Sequence, residues 1–240
     1  MKVKIHDKHK NNIKLNISKY SEAVNLYQIE ELANSTFNTN TYSYYSTGSM
    51  NMNAMYNNEN DFNKIQLIPK ILVPVGNIDT KTTLINDLTI DFPLCISPTA
   101  MHKLCHPDGE IETAKASTQL NTLMCLSTIC SISLTKIAPY AKNKWMQLYI
   151  LKDLKKCEKM INMIEKSGYT GLVITVDTPV AGIRDIENIY KFTGDNNIQS
   201  VKTDKQNETN IVKVESKLGQ YLNTFFNEVN YNILSILLIF

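Results

Sequence analysis

Four short apolar runs recur between residues 93 and 176, each followed by a helix-compatible stretch or a loop, and this alternation limits the fold more than any other feature. The runs are residues 93–97 (PLCIS), 123–127 (LMCLS), 145–150 (WMQLYI) and 172–176 (LVITV). Strands this continuously apolar are buried on both faces, which predicts a parallel sheet covered by helices. The clearest crossover helix is residues 151–168, with Leu154, Cys157, Met160, Ile161 and Ile164 on one face and Gly168 as its stop.

Two α/β folds deliver that pattern, the doubly wound sheet and the (β/α)8 barrel. No run leads into a Gly-x-Gly-x-x-Gly turn, and eight glycines in the chain leave little room for one. Polar residues instead gather at the C-terminal end of every run: Ser97, Pro98 and Thr99; Ser127 and Thr128; Gln147 with Tyr149; Thr175 with Asp177. A barrel keeps its active site at that end of its strands. The reading is an incomplete (β/α)8 barrel of about four βα units, reached through a helical lead-in.

Three regions follow: a helical and loop lead-in over residues 1–69, the first half of the barrel over 70–192, and a divergent polar loop, helix and apolar tail over 193–240. In the lead-in, residues 20–33 have helical spacing, whereas the Asn-rich residues 51–60 (NMNAMYNNEN) are expected to form a loosely held loop. Residues 70–79 and 82–93 are β-prone and split by Gly76, Asn77 and Asp79, which predicts a hairpin-like preface to the barrel.

A net charge of +2 with lysines scattered among acidic residues provides no basic stripe, so nucleic acid is excluded as a partner. The five cysteines, Cys95, Cys105, Cys125, Cys130 and Cys157, lack Cys-x-x-Cys pairing and read as reduced core thiols of an intracellular protein. The basic start (MKVKIHDKHKNNIK) has no apolar stretch for export, and the terminal NILSILLIF is about half the roughly 20 residues of a membrane span. His102, Cys105 and His106 lie within ISPTAMHKLCHPDGE (residues 96–110), but no second His or Cys cluster completes four ligands, so no metal is expected.

The strand ends, taken as a set, carry a resemblance. YYSTG (44–48), IPKILVPVGNIDTKTTL (68–84), ISPTAMHKLCHPDGE (96–110), LST (126–128), QLYILKD (147–153) and ITVDTPVAGIRD (174–185) resemble the FMN-dependent 2-hydroxy-acid oxidase and dehydrogenase family, which includes glycolate oxidase and L-lactate dehydrogenases. The resemblance spans about residues 20–192. It implies FMN as cofactor and oxidation of a small (S)-2-hydroxy acid to a 2-oxo acid, with oxygen as the acceptor.

It also implies roles for individual residues. Arg184 matches the family's carboxylate-binding arginine, Tyr44 a second carboxylate contact, and Tyr149 the tyrosine that faces the substrate hydroxyl. The backbone of Pro98, Thr99 and Ala100 matches the segment lying against the flavin ring, and Ser127, Gln147 and Thr175 match residues bonding its polar edge. Period-two alternation would put Gln147 and Tyr149 on one face. His106 matches a structural histidine in a His-Pro-x-Gly-Glu turn, with Cys105 a packed thiol. Asp177 matches the carboxylate that pairs with the general-base histidine.

That histidine has no counterpart: the only histidines are His6, His9, His102 and His106. The likeness fades after Phe192 apart from residues 214–226, and the apolar tail reads as a frame carried past a splice site or, alternatively, as an element packed on the open barrel. A half barrel is expected to expose its first and fourth strand edges. The chain is therefore read as truncated and inactive alone, with a catalytically dead flavin-binding or regulatory paralogue docking on a full-length relative as the alternative. A homo-oligomer is implied for a full-length form. The resemblance implies a peroxisomal location, or a cytoplasmic one if the missing C-terminal signal is real, because Ser216-Lys217-Leu218 is internal.

Ile129 stands where short-chain oxidases carry a bulky aromatic, which widens the implied pocket. A completed enzyme is expected to accept longer 2-hydroxy acids; steady-state kinetics favouring glycolate over 2-hydroxyoctanoate would refute this.

Overall fold

A computed structural model of the chain describes residues 19–151, 153–176, 182–185, 189 and 235–239. It divides into two compact units, Met1–Phe62 with Ile183–Phe192, and Asn63–Gly182 with Thr193–Phe240. The divergent polar loop after residue 192 and the helix expected over residues 214–226 lie outside the described residues.

The described residues of the first unit include the helices α1 (Leu26–Thr36), α2 (Thr39–Ser46) and α3 (Asn53–Asn60). Asn side chains start the first two, because a short side-chain acceptor satisfies an orphan N–H of the first turn. Asn25 accepts from the Gln28 N–H at 3.0 Å and Asn38 from the Thr41 N–H at 2.9 Å. Gln28 is buried and its side-chain Oε1 reaches back to accept from the Val24 N–H, just before the cap, at 2.6 Å. Helix α3 corrects the loop expected over residues 51–60. Its Asn-rich composition hides Met55 and Tyr56, both half-buried, and the Tyr56 N–H bonds the Met52 carbonyl at 3.0 Å.

The second unit opens with an antiparallel pair, β1 (Thr82–Thr83) and β2 (Thr89–Ile90), in register Thr82↔Ile90 and Thr83↔Thr89. The expected hairpin is thus corrected: both strands fall within the second β-prone run. Residues 70–79 form no strand and are exposed, with Leu72 wholly so. Pro69 and Pro74 remove ladder donors there, which blocks a paired strand.

Strands β3 (Leu123–Leu126), β4 (Asn143–Leu148) and β5 (Gly171–Thr175) then pair in parallel and in sequence order. Sequence order without reversal is the wall of a barrel rather than the switch point of a doubly wound sheet. The first expected strand shrinks to one parallel bridge, Ile96↔Met124, with the Ile96 N–H bonding the Leu123 carbonyl and the Cys125 N–H bonding the Ile96 carbonyl, both at 2.9 Å. Cys95 beside it is exposed, against the core position expected for it, because one bridge buries too little backbone to cover its neighbours. Cys125, Cys130 and Cys157 are buried.

Helices α4 (Glu110–Gln119), α5 (Leu134–Ile137) and α6 (Leu154–Lys166) connect the strands. Asp153 caps α6 by accepting from the N–H groups of Lys155 and Lys156. Gly168 at φ 75° ends it, with the Gly168 N–H to the Glu165 carbonyl at 2.9 Å and the Tyr169 N–H to the Ile164 carbonyl at 3.3 Å. Cys157, Met160 and Ile164 are its buried residues, and Met160 and Ile164 join Met146, Leu148, Leu172 and Ile174 of the sheet in one core. Each such side chain contributes about 1.5–3 kcal/mol of transfer free energy.

The edge of β5 expected to stay open is covered. A final strand, β6 (Ser235–Ile239), lies antiparallel to it from Gly171↔Ile239 to Thr175↔Ser235. The backbone groups of β5 that a fifth parallel strand would otherwise bond are satisfied by the apolar tail. Among the described residues, no helix is long and apolar enough to cross a membrane.

Gly171 makes room for Trp145. A Cβ there would sit 2.6 Å from the indole Cδ1 and 2.7 Å from Nε1. Gly171→Ala is expected to destabilise the fold by about 1–3 kcal/mol through overpacking. Urea unfolding followed by the emission of Trp145, the one tryptophan in the chain, measures it, and an unchanged midpoint refutes it.

Candidate functional site

At the C-terminal ends of β3, β4 and β5 the polar residues meet. The Thr128 backbone N–H points at the Gln147 side chain at 3.0 Å, so the facing atom is the oxygen Oε1 and the amide nitrogen turns the other way. Gln147 Nε2 then donates to Thr175 Oγ1 at 2.9 Å, while Thr128 Oγ1 donates to the Gln147 carbonyl at 2.5 Å. Ser127 Oγ accepts from the Ile129 N–H at 3.1 Å. Gln147, Ser127 and Thr128 are buried.

This donor set suits the polar edge of a flat heteroaromatic ring. The Ser127 and Thr175 hydroxyls each accept one protein bond and keep a proton to donate, and Gln147 Nε2 has a second hydrogen beyond the one given to Thr175. The sequence reading named Ser127, Gln147 and Thr175 for this role and missed Thr128, which fixes the orientation of Gln147. Its adjacency to Ser127 at a strand end was the available signal. Tyr149 is 41% exposed and lies just past the end of β4, beyond the run over which period-two alternation sets a side chain's face. Strand alternation stops where the strand stops.

Preceding β3, Thr99 Oγ1 donates to the Ser97 carbonyl at 3.3 Å, turning the chain through Pro98, Thr99 and Ala100. Met101 follows at φ 59°, in the left-handed region, and is buried. Its N–H bonds the Ile129 carbonyl at 3.0 Å, tying this loop to the one after β3. His102 Nδ1 lies 3.0 Å from Thr113 Oγ1. Burial lowers its pKa, opposed by the nearby Glu110 charge and a bond to the Thr99 backbone.

His106 Nδ1 accepts from the Asp108 N–H at 3.2 Å and so braces its own turn. Cys105 is half-buried. Among the described residues, no three His, Cys, Asp or Glu side chains gather as metal ligands. Burial pushes the Cys125 and Cys130 thiols up to about 12, with the Glu110 charge adding to the effect on Cys130, so both stay protonated at neutral pH.

In the other unit, Arg184 and Tyr44 come together. The Arg184 guanidinium stands over the Tyr44 ring, 5.0 Å from its centroid, and its Nη2 donates to the Tyr44 carbonyl and, at 3.1 Å, to the Thr47 carbonyl. A cation at the end of α2 also meets the negative end of that helix. Tyr45 packs edge-on against Tyr44 with centroids 5.0 Å apart. The Met50 N–H and the Ser49 hydroxyl both bond the Ile183 carbonyl at 2.9 Å, which fixes the backbone beside Arg184. Asp177 lies outside the described residues.

Residues 33–235 match the family model described as FMN-dependent dehydrogenase. The chain belongs to that family. Proteins similar to it include a 2-hydroxyacid oxidase of Dictyostelium discoideum, 35% identical, with 70% of this chain and 44% of that protein covered. Glycolate oxidase of Spinacia oleracea is 33% identical, over 84% and 55% of the two chains. Peroxisomal (S)-2-hydroxyacid oxidase of Arabidopsis thaliana is 35% identical, over 70% and 47%. Among solved structures, a flavocytochrome b2 mutant with benzoylformate superimposes with a TM-score of 0.68 at 32% identity, over 72% of this chain and 45% of that one. The chain spans about half the length of the curated relatives it matches. The fold of this chain is accordingly part of a (β/α)8 barrel.

Gln147→Leu keeps the volume and removes the carbonamide, leaving the buried Thr128 N–H without its acceptor. The expected cost is about 1–3 kcal/mol of stability. Denaturant unfolding measures it, and a loss well below that range would show that the network is not held through Gln147.

Proposed function

We propose that residues 19–189 supply the cofactor-edge and carboxylate-binding part of an FMN-dependent (S)-2-hydroxy-acid oxidase. The observation that carries the reading is the chain of bonds Thr128–Gln147–Thr175 at three neighbouring strand ends, with the buried Ser127 hydroxyl beside it. Bound FMN supplies a two-electron acceptor. Ser127, Gln147 and Thr175 hold its polar edge, and the backbone of Pro98, Thr99 and Ala100 lies against the ring.

Arg184 holds the substrate carboxylate, with Tyr44 as second contact. Its anchoring on the Tyr44 and Thr47 carbonyls fixes the position of the charge, which lowers the entropy lost on binding. Tyr149 donates to the substrate hydroxyl oxygen as charge develops there. Asp177 is assigned to orient a proton-abstracting histidine. No histidine follows His106 in the 240 residues, so these residues alone are proposed to bind flavin without turnover. In the completed reaction the 2-hydroxy acid loses two electrons and two protons, and oxygen takes them up as hydrogen peroxide. A peroxisomal location is proposed on the likeness to the Arabidopsis thaliana enzyme.

The test is titration of the 240-residue chain with FMN, followed by quenching of flavin fluorescence. Saturable binding is expected, and a 2-hydroxy or 2-oxo acid should then perturb the flavin absorbance. Arg184→Gln is expected to weaken that second step at least tenfold, the loss of a charge-assisted contact of about 1.5–3 kcal/mol, while leaving FMN affinity unchanged. Absence of FMN binding by the wild-type chain overturns the reading.

A further inference from the structure

Glu110 is fully buried, although it opens α4 directly after an exposed turn. One of its carboxylate oxygens, Oε1, accepts three bonds: from the His102 backbone N–H at 3.2 Å, the Ser131 backbone N–H at 2.6 Å and the Ser131 hydroxyl at 3.1 Å. Ser131 Oγ in turn accepts from the Lys103 N–H at 2.9 Å, which forces its own proton toward Glu110. All of these donors lie in two loops, one after the Ile96 bridge and one after β3.

Those loops carry the residues proposed to meet the flavin. Pro98, Thr99 and Ala100 stand just before the His102 tie, and Ser127 stands four residues before Ser131. Between them Met101 holds a left-handed backbone that a residue with a side chain adopts only when its surroundings fix it. Its N–H is fixed on the Ile129 carbonyl and the next N–H on Glu110. An acidic side chain suits the position because every partner of Oε1 is a donor. Asp at this position would fall short by about one C–C bond, roughly 1.5 Å.

We propose that Glu110 is the positioning residue of the cofactor face, its one carboxylate oxygen clamping the loop of residues 97–104 to the loop of residues 127–132. The consequence for FMN rests on the functional reading above; the clamp itself does not.

Two measurements on the whole chain separate them. In hydrogen exchange without FMN, Glu110→Asp is expected to speed exchange of the His102, Lys103 and Ser131 amides at least tenfold, with β5 and α6 unaltered. Glu110→Gln, which keeps an acceptor oxygen at full reach, should recover most of that protection, and Ser131→Ala should release the Lys103 amide alone. In FMN titration, Glu110→Asp is expected to weaken binding at least tenfold and shift the bound-flavin spectrum. Equal exchange in wild type and Glu110→Asp overturns the clamp. Faster exchange with unchanged FMN affinity and spectrum overturns the positioning role. If the wild type binds no FMN, the functional reading fails, while the exchange data still decide the clamp.

Discussion

The parallel register of β3, β4 and β5 is the constraint on which the rest depends. Pairing Leu126 with Met146 and Leu148 with Ile174 sets three strand ends side by side, so that polar residues at the end of each apolar run become neighbours. Gln147 sits on the middle strand and bonds to both sides, to Thr128 and to Thr175. A slip of one residue would turn every side chain to the other face of the sheet. It would separate these partners and take Met146 and Leu148, both fully buried, out of their core packing. Core packing and site geometry are therefore one requirement here.

Charge is handled by anchoring it on the backbone. Glu110 collects N–H donors, and Arg184 gives its donors to carbonyls at the end of α2. Main-chain partners give each group a direction that a mobile surface ion pair does not provide. The exposed pairs Lys115 with Glu112 and Lys156 with Asp153 are of that weaker kind.

Much of this was legible in the sequence, and particular residues show why the rest was not. The crossover helix ending at Gly168, its buried face and the order of the strands follow from periodicity and capping, which are local. The family followed from motifs at the strand ends. The hairpin was misplaced because Pro69 and Pro74 acted against a β-prone run, and the helix over Asn53–Asn60 was hidden by its Asn-rich composition. The HPDGE turn was recognised, yet Glu110 within it was not singled out, since nothing local tells a surface glutamate from one buried under two loops.

By itself the sequence determined the α/β class, the parallel core, the strand ends as the place for chemistry and the residue types offered there. Those follow from hydrophobic pattern and side-chain chemistry, which each residue carries with it. Only the tertiary structure decided which groups meet: Gln147 between Thr128 and Thr175, Glu110 between His102 and Ser131, Arg184 over Tyr44, and the apolar tail on the edge of β5. Such contacts join residues up to 140 positions apart. Their partners are chosen by strand register and loop path, which are properties of the folded chain rather than of any one segment.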